Sequence, residues 1–153
     1  MKYGFTISFL LGLLLMMTSC EEDQICDENT KTYLNAGFYK AVSGELQDSV
    51  LNNLRIFSPG MDSLIYDSSG ISSIKLPLDY AASQTQFIMI NDSVADTLVF
   101  SYDKEMIFIS YQCGFAPEYE LLSTEHSSEG IDSVRVINSK IETTDEENLR
   151  IYL

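Results

Sequence analysis

Residues 87–102 read FIMINDSVADTLVFSY, and their pattern is the clearest indication of the fold class. Phe87 to Ile90 is apolar on both faces, as expected for a central strand of a sheet. Asn91-Asp92-Ser93 are turn formers. Residues 97–102 then place Leu, Phe and Tyr at every second position, which is typical of a half-buried strand. The stretch therefore predicts two strands joined by a turn.

The same pattern recurs on both sides of this stretch. Short apolar or alternating runs follow one another at a spacing of about ten residues, with Ser, Asn, Asp, Gly and Pro between them. We therefore expect an all-β domain, an antiparallel Ig-like β-sandwich of about nine or ten short strands. The other runs are Leu34–Phe38, Val50–Ile56, Ser63–Asp67, Ile74–Leu78, Met106–Tyr111, Phe115–Leu121, Ile131–Ile137 and Leu149–Leu153.

Composition limits the partners. The 153 residues are 45% apolar and 11% aromatic, as in one ordinary globular domain. Asp and Glu number 23 against 9 Lys and Arg, so the net charge is −14. Such an excess opposes binding to nucleic acid, or to anionic lipid through a basic face.

The first twenty residues resemble an export signal. Lys2 provides a positive start, residues 5–17 form an apolar run, and Thr18-Ser19-Cys20 follow. The run is shorter than the roughly 20 residues of a comfortable membrane span. Residues 17–20 also resemble a bacterial lipobox, in which Cys20 takes a diacylglyceryl group and the chain is cut before it. An ordinary signal peptide is the alternative.

These features predict three regions: a lipoprotein signal peptide over 1–19, an acylated tether over 20–30, and one β-sandwich domain over 31–153. Glu21, Glu22 and Asp23 resemble the signal that sends Bacteroidetes lipoproteins to the outer face of the outer membrane. A solvated tether is the alternative. We expect a protein lipid-anchored at the outer membrane, either periplasmic or surface-exposed.

Two cysteines remain once Cys20 is acylated. Export places Cys26 and Cys113 in an oxidising compartment, which favours a disulfide between them. In the chain-entropy model, so long a loop makes the bond worth about 4 kcal/mol. Two free thiols or a metal site are the alternatives. A metal site is disfavoured because there is no C-x-x-C motif and His126 is the one histidine in the sequence.

Candidate catalytic residues are few. His126 lies in a polar stretch that is typical of a loop, and there is no G-x-S-x-G motif. Glu118 and Glu120 are two positions apart, so on a strand their side chains lie on the same face and their Cα atoms are about 7 Å apart. This distance is near the separation between the two catalytic carboxyl groups of glycosidases. Two acidic residues at this spacing more often belong to the solvent-exposed face of a strand. We therefore expect no enzyme activity, no cofactor and no metal site.

Five Asp-Ser/Thr-apolar triplets resemble the O-glycosylation motif of Bacteroidetes. Turn-ending Asp and Ser before a strand would produce the same triplets without any modification. A glycan also needs an exposed hydroxyl. The candidate sites are Ser49, Ser63, Ser93, Thr97 and Ser133.

The order of several short motifs resembles a family of small, uncharacterised Bacteroidetes lipoproteins that carries a domain of unknown function. The resemblance covers most of the chain after Cys20 and implies an exported, all-β lipoprotein. It implies no activity and no catalytic residues. The matching stretches are Cys20 with Cys26, Leu34–Tyr39, Leu54–Ile56, Gly60 with Asp62–Tyr66, Ile74 with Leu76–Leu78, Asp96-Thr97 with Phe100 and Tyr102, and Phe108 with Ser110 and Cys113-Gly114.

The leading functional hypothesis is a non-enzymatic, lipid-anchored envelope lipoprotein that interacts with an envelope protein or complex and does not bind nucleic acid. Its binding surface would be an exposed apolar or aromatic patch on the two-sided runs. Further candidates for this patch are Tyr33, Tyr39, Phe57 and Tyr152. The alternatives are a surface carbohydrate- or small-ligand-binding module and a fimbria-like subunit, for which residues 149–153 could serve as a donor strand.

Overall fold

Eleven strands and no helix make up the computed structural model, which describes residues 25–42, 44–60 and 64–153. The all-β prediction is confirmed. In chain order the strands are β1 (Leu34–Val42), β2 (Glu45–Asp48), β3 (Leu54–Phe57), β4 (Tyr66–Ser68), β5 (Ser73–Leu76), β6 (Gln84–Asn91), β7 (Val94–Ser110), β8 (Gly114–His126), β9 (Ser133–Val136), β10 (Lys140–Ile141) and β11 (Leu149–Tyr152).

Residues 87–102 form the middle of the larger sheet, whose order is β10-β8-β7-β6-β3-β4. β6 and β7 pair antiparallel from Gln84↔Ser101 to Asn91↔Val94, which leaves Asp92 and Ser93 as a two-residue turn. Asp92 has a φ of 55°, and Asp tolerates the left-handed conformation that such tight hairpin turns require. The predicted central strand is therefore confirmed.

The smaller sheet has the order β2-β1-β11-β9, and β5 pairs with β1 on the same edge as β2. β1 and β11 run parallel, from Ala36↔Leu149 to Tyr39↔Tyr152. The last strand thus lies inside a sheet with a neighbour on each side. The predicted closing strand completes its own sheet in this structure.

One apolar core draws on both sheets. Phe38 and Ile151 come from the smaller sheet, and Phe87, Phe100 and Tyr102 come from the larger one. The rings of Phe87 and Phe100 lie 6.0 Å apart, centroid to centroid. Two sheets around one core are consistent with the predicted β-sandwich, while its Ig-like form stays a prediction.

Three details differ from the expectations. The runs around Tyr102 and Met106 belong to one strand, β7, although polar residues 103–105 separate them. β2 and β10 carry no predicted run. His126, expected in a loop, is the last residue of β8, where it pairs with Leu98.

Within the part of the chain that the structure describes, no helix is long and apolar enough to cross a membrane. The predicted signal peptide, the acylation site Cys20 and the acidic residues 21–23 lie outside the described residues.

Candidate functional site

A disulfide joins the start of the described chain to the tip of a hairpin. Cys26 and Cys113 are bonded, with Cα atoms 4.9 Å apart and a sequence separation of 87. The predicted disulfide is confirmed, and free thiols and a metal site at this pair are excluded. The bond places the N-terminal segment beside the turn between β7 and β8.

The β7–β8 hairpin extends beyond the sheet that carries it. β6 pairs with β7 only as far as Ser101, while β7 and β8 pair onward to Ser110↔Gly114. Gly114 has a φ of 73°, a conformation that glycine adopts at little cost after a three-residue turn. We call residues 106–117 the arm.

The arm exposes a cluster of aromatic rings. The ring centroid of Phe108 lies 5.3 Å from that of Tyr111 and 5.4 Å from that of Phe115, both edge to face. Phe108 is 49% exposed, Phe115 59% and Tyr111 94%. Met106 lies on the same face as Phe108 and is also exposed. No residue of the arm is charged. An exposed aromatic cluster without charge is a candidate interaction surface.

The N-terminal segment is held against the arm at a second point. The hydroxyl of Thr32 donates a hydrogen bond to the backbone carbonyl of Pro117, at the base of the arm. Ala116, beside Pro117, is fully buried. The segment before β1 therefore follows the arm from its base to its tip, where the disulfide closes the path.

Glu118 and Glu120 lie at the base of the arm on one face of β8. Lys140 approaches the Glu118 carboxylate, with Nζ 3.6 Å from Oε2, and the Ser139 hydroxyl donates to Glu120 at 2.6 Å. The shallow pocket beside them has a volume of about 150 Å³. Ligand sites usually exceed about 300 Å³. Glu118 is therefore a largely covered, ion-paired carboxylate, and Glu120 is an exposed one on the same strand face.

His126 is not placed for nucleophilic catalysis. Its Nδ1 lies 2.8 Å from the backbone oxygen of Ser127, while the Ser127 hydroxyl donates to Asp96 at 2.7 Å. The contact of the ring with Ser127 is thus to the carbonyl and not to the hydroxyl. This arrangement lacks the histidine–hydroxyl hydrogen bond that an activated serine requires.

Asp96 is a buried structural carboxylate, only 2% exposed. It accepts hydrogen bonds from the Ser127 hydroxyl and from the backbone N–H groups of Glu129 and Gly130, all between 2.7 and 2.9 Å. These bonds fix the loop that follows β8. Because hydrogen-bond donors compensate the burial of a carboxylate, these three bonds account for Asp96 as part of the fold.

The candidate glycosylation sites differ in access. Ser93 in the β6–β7 turn and Ser133 in β9 are exposed, whereas Ser49 is 8% exposed. Thr97 is half-buried and follows the buried Asp96. Ser63 lies outside the described residues. Access therefore favours Ser93 and Ser133, and the use of any site stays a prediction.

A polar groove lies at the opposite end of β7 from the arm. Its volume is about 460 Å³, and the side-chain amide of Asn53 donates to Asp92 across it. None of the residues that line it is aromatic. The lining residues are Asn52, Asn53, Arg55, Asp67, Ser68, Ser69 and Asp92. β7 has 17 residues, so the groove and the arm tip are about 50 Å apart.

Two tyrosines predicted for an exposed patch belong instead to a small polar cluster. Tyr39 donates to a Glu147 carboxylate oxygen at 2.6 Å, and Arg150 binds the other oxygen at 2.8 Å. The Tyr39 and Tyr152 rings lie 6.1 Å apart, and both side chains are half-buried. The hydrogen bond to Glu147 is the main cause that raises the pKa of Tyr39.

Across residues 25–42, 44–60 and 64–153, no group of three or more His, Cys, Asp or Glu side chains is placed to hold a metal ion. The exposed ring cluster of the arm was only partly predictable. Its run Met106–Tyr111 is visible in the sequence as apolar on both faces, but Phe115 belongs to a different run.

A family model matches residues 53–153, which include the whole arm and Cys113. The chain belongs to the family of unknown function DUF6452. The predicted membership of a family of unknown function is thereby confirmed at that level. The DUF6452 match begins after Cys26, so the N-terminal half of the disulfide lies outside it. No curated protein matches the chain, and no solved structure matches it.

Proposed function

We propose that the protein is an exported lipoprotein of Bacteroidetes, anchored at the outer membrane through acylated Cys20. The observation that carries this proposal is the Cys26–Cys113 disulfide. Such bonds persist in oxidising compartments and are rare in the cytosol. The apolar run before Cys20 and the lipobox-like residues 17–20 support the same location.

We further propose that the protein acts by binding and not by catalysis. Glu118 and Glu120 have ion-pair and hydroxyl partners in a shallow pocket, and His126 contacts a backbone oxygen. The marked surface features are instead the uncharged arm and the polar groove at the other end of β7. Both are features of an interaction module.

The arm and the polar groove, at the two ends of β7, are suited to different neighbours. The arm is bonded to the segment that leads to Cys20, so it lies on the anchor side of the domain. The polar groove lies about 50 Å away along β7 and is presented away from the anchor. We propose that an envelope protein docks at this distal end, where Arg55 of β3 and Asp67 of β4 are opposite each other in the strand register and line the groove.

A crosslinked pull-down of the acylated protein from native envelopes tests the proposal. We expect a stoichiometric outer-membrane partner that is lost in Cys20→Ala and weakened in an Arg55→Ala/Asp67→Ala variant. Lys31→Ala, at an exposed position outside the groove, is the matched control. Replicate experiments at native expression that recover no partner would contradict the binding proposal.

Carbohydrate binding at the surface is the second candidate. The Asn, Asp and Arg side chains of the groove are suited to sugar hydroxyls, which favours it. The absence of an aromatic platform from the groove lining counts against it. Glycan-array binding that is lost in the Arg55→Ala/Asp67→Ala variant would establish this alternative. A fimbria-like role is less favoured, because β11 already has a neighbour on each side.

A further inference from the structure

We propose that the arm is a membrane foot: its aromatic cluster contacts the zwitterionic lipid surface that holds the acyl chains on Cys20. This inference rests on the proposed lipid anchor and deepens it, because it names the neighbour of the arm. The foot would fix the orientation of the domain and direct the polar groove away from the lipid.

Covalent distances carry the first step. Cys20 and Cys26 are six residues apart, and six residues cannot extend beyond about 20 Å in any conformation. The Cα atom of Cys26 lies 4.9 Å from that of Cys113 at the arm tip. A lipid on Cys20 therefore cannot be further than about 30 Å from Tyr111, which precedes Cys113 by two residues. A tether joined only to β1 would allow the domain many more orientations.

Side-chain chemistry carries the second step. Phe108 and Phe115 present apolar rings, and Tyr111 combines a ring with a hydroxyl and is 94% exposed. Tyr is enriched where one end of a side chain enters the apolar layer and the other stays in water. The uncharged arm carries no charge to be buried, so entry into the interfacial layer avoids that penalty.

The charge distribution selects the type of lipid. The net charge is −14, so an anionic bilayer would repel the domain as a whole. The nearest acidic residues along the two strands are Glu105 and Glu118, which are opposite each other in the strand register at the base of the arm. Beside the tip, Asp27 and Glu28 follow Cys26 and are exposed. A foot that enters only by its aromatic rings keeps all of these carboxylates out of the apolar layer. The proposal therefore commits to a zwitterionic surface.

Because the sequence contains no Trp, the fluorescence of a single introduced Trp reports the surroundings of that one position. Phe115→Trp and Tyr111→Trp each place a single Trp on the arm. Leu122→Trp is the matched control, because Leu122 on β8 is 61% exposed, close to the 59% of Phe115, but lies beyond the arm. The acylated full chains are reconstituted into phosphatidylcholine vesicles, with and without brominated lipid.

Two readouts separate the two proposals. Flotation with the vesicles reports the lipid anchor, and Trp emission reports the arm. We expect all three variants to float. The Trp emission of the two arm variants should move to shorter wavelength and be quenched by brominated lipid, while that of Leu122→Trp should do neither. The intact disulfide, measured by mass spectrometry, and the far-ultraviolet circular dichroism spectrum show that each variant is folded.

The contrary outcomes are distinct. Variants that float but keep the arm Trp in water refute the foot and leave the anchor intact. Variants that do not float refute the anchor and the foot with it. An arm Trp that stays in water on vesicles while a photocrosslinker at position 111 couples to a protein in native envelopes would assign the arm to a protein partner and overturn the lipid proposal. Equal quenching at Leu122→Trp would also overturn it, because contact would then not be specific to the arm.

Discussion

Removing the disulfide is the perturbation whose magnitude follows most directly from the structure. Cys26→Ala/Cys113→Ala opens a loop closed across 87 positions. The chain-entropy model assigns such a loop about 4–5 kcal/mol at 25 °C. Part of this is offset, because the segment before β1 also gains freedom in the folded state. Its described side-chain bonds to the rest of the domain come from Asn29 and Thr32. We expect a net loss of about 3 kcal/mol, within the usual range for a native disulfide.

Guanidinium denaturation and thermal unfolding of the non-acylated chain from residue 21, exported so that the disulfide forms, are the assays. A loss of about 3 kcal/mol lowers the midpoint of thermal unfolding by about 10 °C in a domain of this size. The reduced wild-type chain is the matched control and should unfold with the double variant. If the free energies of unfolding of the oxidised and the reduced wild-type chain differ by less than about 1 kcal/mol, the expectation is refuted, because the loop would then not constrain the unfolded state.

Three further outcomes are expected. Asp96→Asn should cost about 1–2 kcal/mol in chemical denaturation, because the partly buried N–H of Gly130 loses its acceptor, whereas Asp132→Asn at an exposed position should change little. Burial is the main cause that raises the pKa of Tyr119 to about 12. Above pH 10 the unfolded chain therefore holds fewer protons than the folded one, so the free energy of unfolding should fall by about 2–3 kcal/mol between pH 10 and 12. Tyr119→Phe should remove this part of the pH dependence of the free energy of unfolding. Glycopeptide mass spectrometry of the native protein should find modification at Ser93 before Ser49; the reverse would contradict the argument from access.

Much of the fold is predictable because burial imposes a pattern on its strands. β6 places Phe87 and Met89 on the buried face of its sheet and the half-buried Ile88 and Ile90 on the other face, so both faces of this run are apolar. β2 has no such pattern: all four of its residues, Glu45–Asp48, are exposed on a sheet edge. Residues 103–105 interrupt the apolar pattern of β7 without ending the strand. They pair with residues 118–120, outside the region where β6 covers β7, so strand pairing continues without apolar side chains.

The candidate site is predictable only in its parts. The pairing of Cys26 with Cys113 follows from the cysteine count once Cys20 is assigned to lipid. The run Met106–Tyr111 is recognisable as apolar on both faces. Alternation alone does not tell whether another part of the chain covers the second face, and in this structure the rings of Phe108 and Phe115 on that face are open to solvent. The distance between the arm and the polar groove depends on the length of β7. The sequence does not show this length, because polar residues 103–105 divide β7 into two apparent runs.

We propose that a lipid on Cys20 and the Cys26–Cys113 bond together hold the arm at the membrane. Mass spectrometry of the mature protein from host membranes, after proteolysis under non-reducing conditions, examines both bonds in one experiment. We expect an N-terminal peptide that begins at Cys20 with a thioether-linked diacylglyceryl group, and one linked peptide that contains Cys26 and Cys113. A mature chain that begins elsewhere without lipid, or that has both of these thiols free, would contradict it.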